Sequence, residues 1–126
     1  MRQFDTGATR NSIEGKLSYF RALSPAVLRR YVQYLDKHRT QADGNLRDFD
    51  NWKRGIPKDI YMDSLLRHVH DTWLMFLGHA SSGQSCGMED LLCAILFNAS
   101  GLLFELLVES GESREIEPDD YPRVPE

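Results

Sequence analysis

Three stretches of the chain repeat their apolar positions at helical spacing, and between them the pattern breaks. In the first, Val27, Leu28, Tyr31, Val32, Tyr34 and Leu35 share one side, with Arg29, Arg30, Gln33, Asp36 and Lys37 on the other. Ser24 offers an N-cap oxygen and Pro25 fits the first helical position, where a missing N–H costs nothing. A helix is therefore predicted from Pro25 to about His38. In the second stretch, Met62, Leu65, Leu66, Val69, Trp73 and Phe76 form a stripe of the kind that ordinarily faces a core. Asp63, Ser64, Arg67, His70 and Asp71 lie opposite, with His68 at the border, and the expected helix runs from Lys58 to Leu77 before Gly78 ends it. The third, from about Met88 to Glu109, is apolar nearly all round, through Leu91, Leu92, Ile95, Leu96, Leu102, Leu103, Phe104, Leu106 and Leu107. Such a helix is central in its fold or buried between subunits, so an assembly of at least two chains is expected.

The segments outside these helices carry their own signals. The first twenty-three residues mix Gly, Thr, Asn and aromatics without period and read as an ordered but irregular arm, basic at Arg2, Arg10, Lys16 and Arg21. From Arg39 to Pro57 runs a loop too long to be a plain connector; Phe49, Trp52 and Ile56 favour an ordered loop pinned by aromatic burial. His79 to Gly87 is a Ser/Gly turn region, and the stretch from Ser110 is acidic, contains Pro and reads as a flexible tail. The expected organisation is one all-α domain over residues 1–109, a small helical bundle with an irregular N-terminal arm, followed by the tail 110–126.

Charge and cysteine usage narrow the function classes. Against 15 Lys and Arg stand 19 Asp and Glu, a net charge of −4, which is not the footprint of a protein that wraps duplex nucleic acid. A local basic cluster can still receive a small anion. Cys86 and Cys93 have neither zinc-site nor redox spacing, and no apolar N-terminal run resembles a signal peptide, so a cytoplasmic protein with reduced thiols is expected. The third helix carries Asp90, Asn98, Ser100 and Glu105, which argues for a buried helix and against a membrane span.

Projected at about 100° per residue, Asp90, Ala94, Asn98, Gly101 and Glu105 fall on one narrow stripe of that otherwise apolar helix. A buried carboxylate needs a partner: a cation, a hydrogen-bonding ligand, or a basic side chain such as Arg67 or Lys37 in a structural ion pair. On the second helix His68 and Asp71 stand three apart on one side. With Glu89 and Asp90 they make a carboxylate-rich set that suits Mg²⁺ or Mn²⁺ better than Zn²⁺. The alternative is a satisfied core histidine beside helix-favouring charges in a first turn. For phosphate, the candidates are Arg10, Lys16 and Arg67, with Lys53 and Arg54 next to Trp52 in the long loop. Trp52 or Phe49 offers a surface for a base, or else simply pins the loop.

The order of several short strings then resembles a known family. They are Phe4-Asp5-Thr6-Gly7-Ala8-Thr9-Arg10, Glu14-Gly15-Lys16-Leu17, Leu23-Ser24-Pro25 with Arg30-Tyr31, and Asp50-Asn51-Trp52-Lys53-Arg54-Gly55-Ile56-Pro57. Tyr61-Met62, Arg67-His68, Asp71-Thr72-Trp73, and Glu89-Asp90-Leu91-Leu92-Cys93-Ala94 with Phe97-Asn98 continue the series. Together, over residues 4 to 107, they resemble the bacteriophage dATP/dGTP diphosphohydrolases in their N-terminal domain, relatives of the all-α MazG-like pyrophosphohydrolases.

The resemblance implies a dimer or tetramer of short helical bundles in the cytoplasm of an infected bacterium. It also implies cleavage of a purine deoxynucleoside triphosphate, dATP or dGTP, into monophosphate and pyrophosphate. The broader superfamily binds Mg²⁺ through E-x-x-E and E-x-x-D pairs on successive helices. Here the corresponding places hold His68-x-x-Asp71 and Glu89-Asp90, with Cys93 three beyond Asp90. On this reading Asp71, Glu89 and Asp90 hold the metal that polarises the attacking water, and Arg10, Lys16 and Arg67 neutralise the leaving pyrophosphate. His68 orients a ligand or assists proton transfer, and Trp52, Lys53, Arg54 and Asn98 contact the nucleotide. Two alternatives remain at this point: a non-enzymatic binder that sequesters a host anti-phage signalling nucleotide, and a structural or interaction protein.

Overall fold

A computed structural model describes residues 1–12, 14–79 and 87–116. Along the chain come β1 (Arg2–Gln3), β2 (Thr9–Arg10), α1 (Tyr19–Ala22), α2 (Pro25–Lys37), a 3-10 turn (Asn51–Arg54), α3 (Lys58–Phe76) and α4 (Met88–Glu109). The all-α expectation holds, and the three long helices stand where the apolar periodicity placed them, to within a residue at each end. The arm is more regular than its sequence suggests. β1 and β2 pair antiparallel, Arg2 opposite Arg10 and Gln3 opposite Thr9. Gly7, with φ of 90°, lets the chain reverse between them, an opening that two-residue strands give no periodicity to reveal.

Local chemistry explains where α2 begins. The Ser24 hydroxyl accepts from the Val27 N–H at 3.3 Å, and Pro25 follows at the first position. At the other end of α3, Gly78 takes φ of 83° as the helix closes, its N–H reaching Met75 O and that of His79 reaching Leu74 O. The Ser/Gly turn that follows, with Cys86, lies largely outside the described residues, as does 117–126.

α3 and α4 form an antiparallel pair: Lys58 at the start of α3 pairs with Glu109 at the end of α4, and Tyr61 packs onto Gly101. A Cβ added at Gly101 would lie 2.3 Å from the Tyr61 ring, so only glycine admits that ring to the α4 backbone. Tyr61 and Leu91 are each 1% exposed; Cys93, Ala94 and Phe104 complete the buried apolar set.

This packing turns α3 away from the orientation its pattern suggests. The Met62, Leu66, Val69, Trp73 and Phe76 stripe, expected to face the core, is exposed, with Trp73 at 64% and Phe76 at 80%. The side that goes inward carries Tyr61, Ser64, Leu65, His68 and Asp71. The physical reason is on α4, whose Ala94, Asn98 and Gly101 present a small, partly polar surface that a mixed face can enter closely. α2 leans on α4 with half-buried Tyr31, Tyr34 and Leu35 and buries no residue fully.

The 39–57 loop is ordered, as its aromatics suggest. Arg39 is buried, donates from Nε to Arg47 O at 2.7 Å, and lies over the Phe49 ring at 4.2 Å from its centroid. Trp52 meets Phe104 edge-on at 4.8 Å, tying the 3-10 turn to α4. The expected flexible tail is anchored at its start. Arg114 donates to both oxygens of buried Glu105, at 3.0 and 3.1 Å, and lies over Gly55.

Candidate functional site

A cavity of about 330 Å³ opens where α2, the 39–57 loop and the α3–α4 pair meet. Four aromatic rings line it, Tyr34 from α2, Phe49 and Trp52 from the loop, and Phe97 from α4. Arg39 and Arg47 supply positive charge, with His38 and His68 beside them; Asn51, Asn98 and Ser64 supply neutral polar groups. Asp48 is the acidic member of the lining, paired with Arg54 at 3.8 Å. Apolar walls with a few convergent polar groups are the ordinary make-up of a small-molecule site.

Four residues singled out in the sequence as candidates for chemistry come together here: Phe49, Trp52, His68 and Asn98. Asn98 is buried and spends Nδ2 on Ala94 O at 2.8 Å, which leaves its carbonyl oxygen as an acceptor. His68 keeps Nδ1 buried with no hydrogen-bond partner among the described residues. Burial, reinforced by the Arg67 charge and opposed by Asp71, holds the His68 imidazole below its ordinary pKa, so the ring is neutral at pH 7. His68 thus lines the cavity as a neutral ring whose Nδ1 is closed off from solvent.

The other candidates stand elsewhere. Lys53 is half-buried and does not line the cavity; its Nζ lies 5.7 Å from the Trp52 ring, donates to Glu115 O at 3.4 Å and stands 3.8 Å from Glu115 Oε2. Arg54 sits at the rim in its pair with Asp48. Arg67 is turned along α3 to Asp63 and to Ser64 Oγ, and Arg10 and Lys16, both exposed on the N-terminal arm, do not line the cavity. Asp71 is 7% exposed and has no hydrogen bond or ion pair with any described residue. Its charge lies close enough to His68 to act on that imidazole, raising the pKa that burial lowers.

Glu89 and Asp90 are occupied. Arg30 donates to Glu89 Oε1 and Asp90 Oδ1, each at 2.8 Å, and Lys37 donates to Asp90 Oδ2 at 3.1 Å. These hydrogen bonds hold the Asp90 carboxyl below the usual carboxylate range and push the Arg30 guanidinium above its own. Among the described residues no three His, Cys, Asp or Glu side chains stand close enough to share a metal ion. The set Asp71, Glu89 and Asp90 thus does not fit Mg²⁺ or Mn²⁺ as the side chains stand in one chain.

Sequence reasoning missed Arg39, Arg47, Tyr34 and His38. Tyr34 and His38 stand four apart and stack at 4.3 Å between ring centroids, a spacing readable in the sequence but indistinguishable there from an ordinary helix face. Arg39 and Arg47 reach the cavity only because the loop between them folds back, Arg47 N–H to Arg39 O at 2.8 Å. Arg47 makes no ion pair with any described residue, which leaves it as the cation available to an incoming anion.

No protein-family model matches the chain, and searches of curated proteins and of solved structures return no match.

Proposed function

We propose that this chain is a nucleotide-binding protein of the purine deoxynucleoside triphosphate pyrophosphohydrolase kind, and that the cavity between α2, the 39–57 loop and the α3–α4 pair holds the nucleotide. The observation that carries this reading is the convergence of Trp52, His68 and Asn98 on one aromatic cavity with Arg39 and Arg47. A purine presents a flat face to rings such as Trp52 and Phe49, and its edge nitrogens meet the polar atoms of Asn98 and His68. The phosphates extend toward Arg47 and His38 at the mouth, where an arginine fork matches a phosphate's oxygens. The products of the proposed reaction are the nucleoside monophosphate and pyrophosphate, formed as water attacks the α-phosphorus and the pyrophosphate leaves.

The engagement of Asp90 with Arg30 and Lys37 favours a second reading, in which the chain retains a nucleotide without turning it over. Both readings share the cavity, and one experiment separates them. Purified protein with Trp73→Phe is titrated with dATP, dGTP and a ribonucleotide panel while Trp52 emission is followed, and products with Mg²⁺ are read by chromatography. Saturable quenching with monophosphate and pyrophosphate released supports the hydrolase. Quenching with intact nucleotide recovered supports the binder. Unchanged emission at millimolar nucleotide rejects the cavity assignment.

A further inference from the structure

Beyond α4 the chain returns to the 39–57 loop. Two backbone bonds fix the direction in which it leaves the helix, Gly111 N–H to Val108 O at 3.1 Å and Glu112 N–H to Leu107 O at 3.0 Å. Arg114 then meets both carboxylate oxygens of Glu105, and the same guanidinium lies over Gly55 and donates from Nη1 to Lys53 O at 3.5 Å. Lys53 answers with Nζ, which donates to Glu115 O at 3.4 Å.

The residues of the 3-10 turn and its cap divide between two sides. Asn51, Trp52 and Ile56 line the cavity, while Lys53 and Gly55 meet residues 114 and 115. The turn's own backbone bonds are local, Lys53 N–H to Asp50 O and Gly55 N–H to Trp52 O, and Arg54 pairs with Asp48 inside the loop. Among the described residues, the hydrogen bonds that leave 50–55 for another part of the chain go to Arg114 and Glu115. The Trp52 ring rests on Phe104, but the backbone that carries it is tied down from outside. Glu105 gives that tie its strength. Its side chain is 9% exposed, and a carboxylate so deep requires a cation. An arginine fork serves both oxygens, where lysine is a single point charge.

We infer that residues 111–116 are a strap that positions Trp52 as a wall of the cavity, with Arg114 as its latch, so that a contact made outside the cavity sets how firmly an occupant is kept. The effect on an occupant rests on the nucleotide reading of the cavity; the positioning of Trp52 does not. Arg114 does not line the cavity and acts through the turn, as a positioning residue. Without it the buried carboxylate loses its cation, and strap and turn loosen together.

The test uses the full chain with Trp73→Phe, in which Trp52 is the remaining tryptophan. Arg114→Ala should let acrylamide quench Trp52 more steeply, well below the melting temperature and with the helical circular dichroism kept. Affinity for dATP should fall by about tenfold, because the ligand must then order the turn itself. Adding Glu105→Gln removes the stranded carboxylate and should recover stability without protecting Trp52 again, which separates positioning from stability. A folded Arg114→Ala protein with Trp52 quenched as before overturns the strap, and so does protection that returns with Glu105→Gln. If Arg114→Ala does not fold, ¹⁵N relaxation of the unsubstituted chain decides: 112–115 should be as rigid as α4, and order parameters below about 0.6 overturn the proposal. A Trp52 that loosens while dATP affinity holds refutes the control of retention. If dATP leaves Trp52 emission unchanged even with Arg114 in place, the nucleotide reading falls, and acrylamide quenching still judges the strap.

Discussion

Arg30 of α2 donates from Nε to Glu89 and from Nη2 to Asp90, both at 2.8 Å, so one guanidinium clamps the first turn of α4 to α2. Lys37, two turns further along α2, closes on the second oxygen of Asp90 at 3.1 Å. Each carboxylate oxygen of Asp90 therefore faces its own cation, and these ion pairs add to the packing of half-buried Tyr31, Tyr34 and Leu35 in joining α2 to α4.

Replacing Asp90 with Asn should lower the melting temperature by a few degrees in metal-free buffer, because Arg30 and Lys37 then face each other across a neutral amide. Adding Mg²⁺ to the wild type should leave its melting temperature unchanged. A variant as stable as the wild type, together with a magnesium-dependent rise in the wild type, would show that Asp90 serves a cation instead.

The same clamp sets a pH dependence. The folded state holds the Asp90 carboxyl below its ordinary pKa, so its contribution is fully present above the unfolded value of about 3.9 and is lost as pH falls through the folded value. Thermal melts between pH 6 and pH 2 should show the gap between wild type and Asp90→Asn closing only at the acid end. A gap already closed at pH 5 contradicts the ion pair.

Tyr61 combines a required ring with a hydroxyl that gains nothing. Its oxygen is buried without a hydrogen-bond partner among the described residues, and burial beside Glu105 pushes its pKa up to about 12. Tyr61→Phe should be neutral or stabilise by up to about 1 kcal/mol, since it removes an unsatisfied group. Gly101→Ala should cost about 3 kcal/mol or more, because the ring it strikes is 1% exposed and has nowhere to move. Urea denaturation of both variants reads the contrast; equal effects would mean the close approach of ring and backbone is absent in solution.

Arg114 lies in a stretch whose composition suggests a free tail, yet it forms a two-pronged pair with Glu105, whose side chain is 9% exposed. Arg114→Ala should destabilise by about 1–3 kcal/mol, discounted from the fully buried case because the guanidinium remains part-exposed. Glu105→Gln in the same background should recover part of the loss, which a double-mutant cycle measures. Full additivity would deny the pair.

His68 supplies a second pH signature of opposite origin. Its folded pKa lies below the ordinary 6.5, chiefly through burial, so the unfolded chain takes up the proton first. Stability is then full above about pH 6.5 and falls as pH drops from there to the folded value. His68→Gln should flatten the melting temperature over that window, and nucleotide should lose affinity for the variant by about tenfold, the worth of one buried hydrogen bond. An imidazole that titrates above 6.5 by NMR would refute the assignment.

What the amino-acid sequence determined by itself is what depends on short-range chemistry. The N-cap at Ser24, the stop at Gly78, the span of α4 and the order of the 39–57 loop follow from hydrogen bonds and burial within a few residues, and all of them stand in the structure. The inward turn of Ala94, Asn98, Gly101 and Glu105 was legible too, because polar positions on an apolar helix must find partners. Only the tertiary structure decided which partners. Arg30 reaches Asp90 across sixty positions and Arg114 reaches Glu105 across nine, and periodicity carries no information about either distance. It also decided which face of α3 goes inward. A hydrophobic stripe says that a face will be covered but not by what, and here the close fit of Tyr61 against Gly101 commits the mixed face to α4 and leaves the Met62 to Phe76 stripe outward.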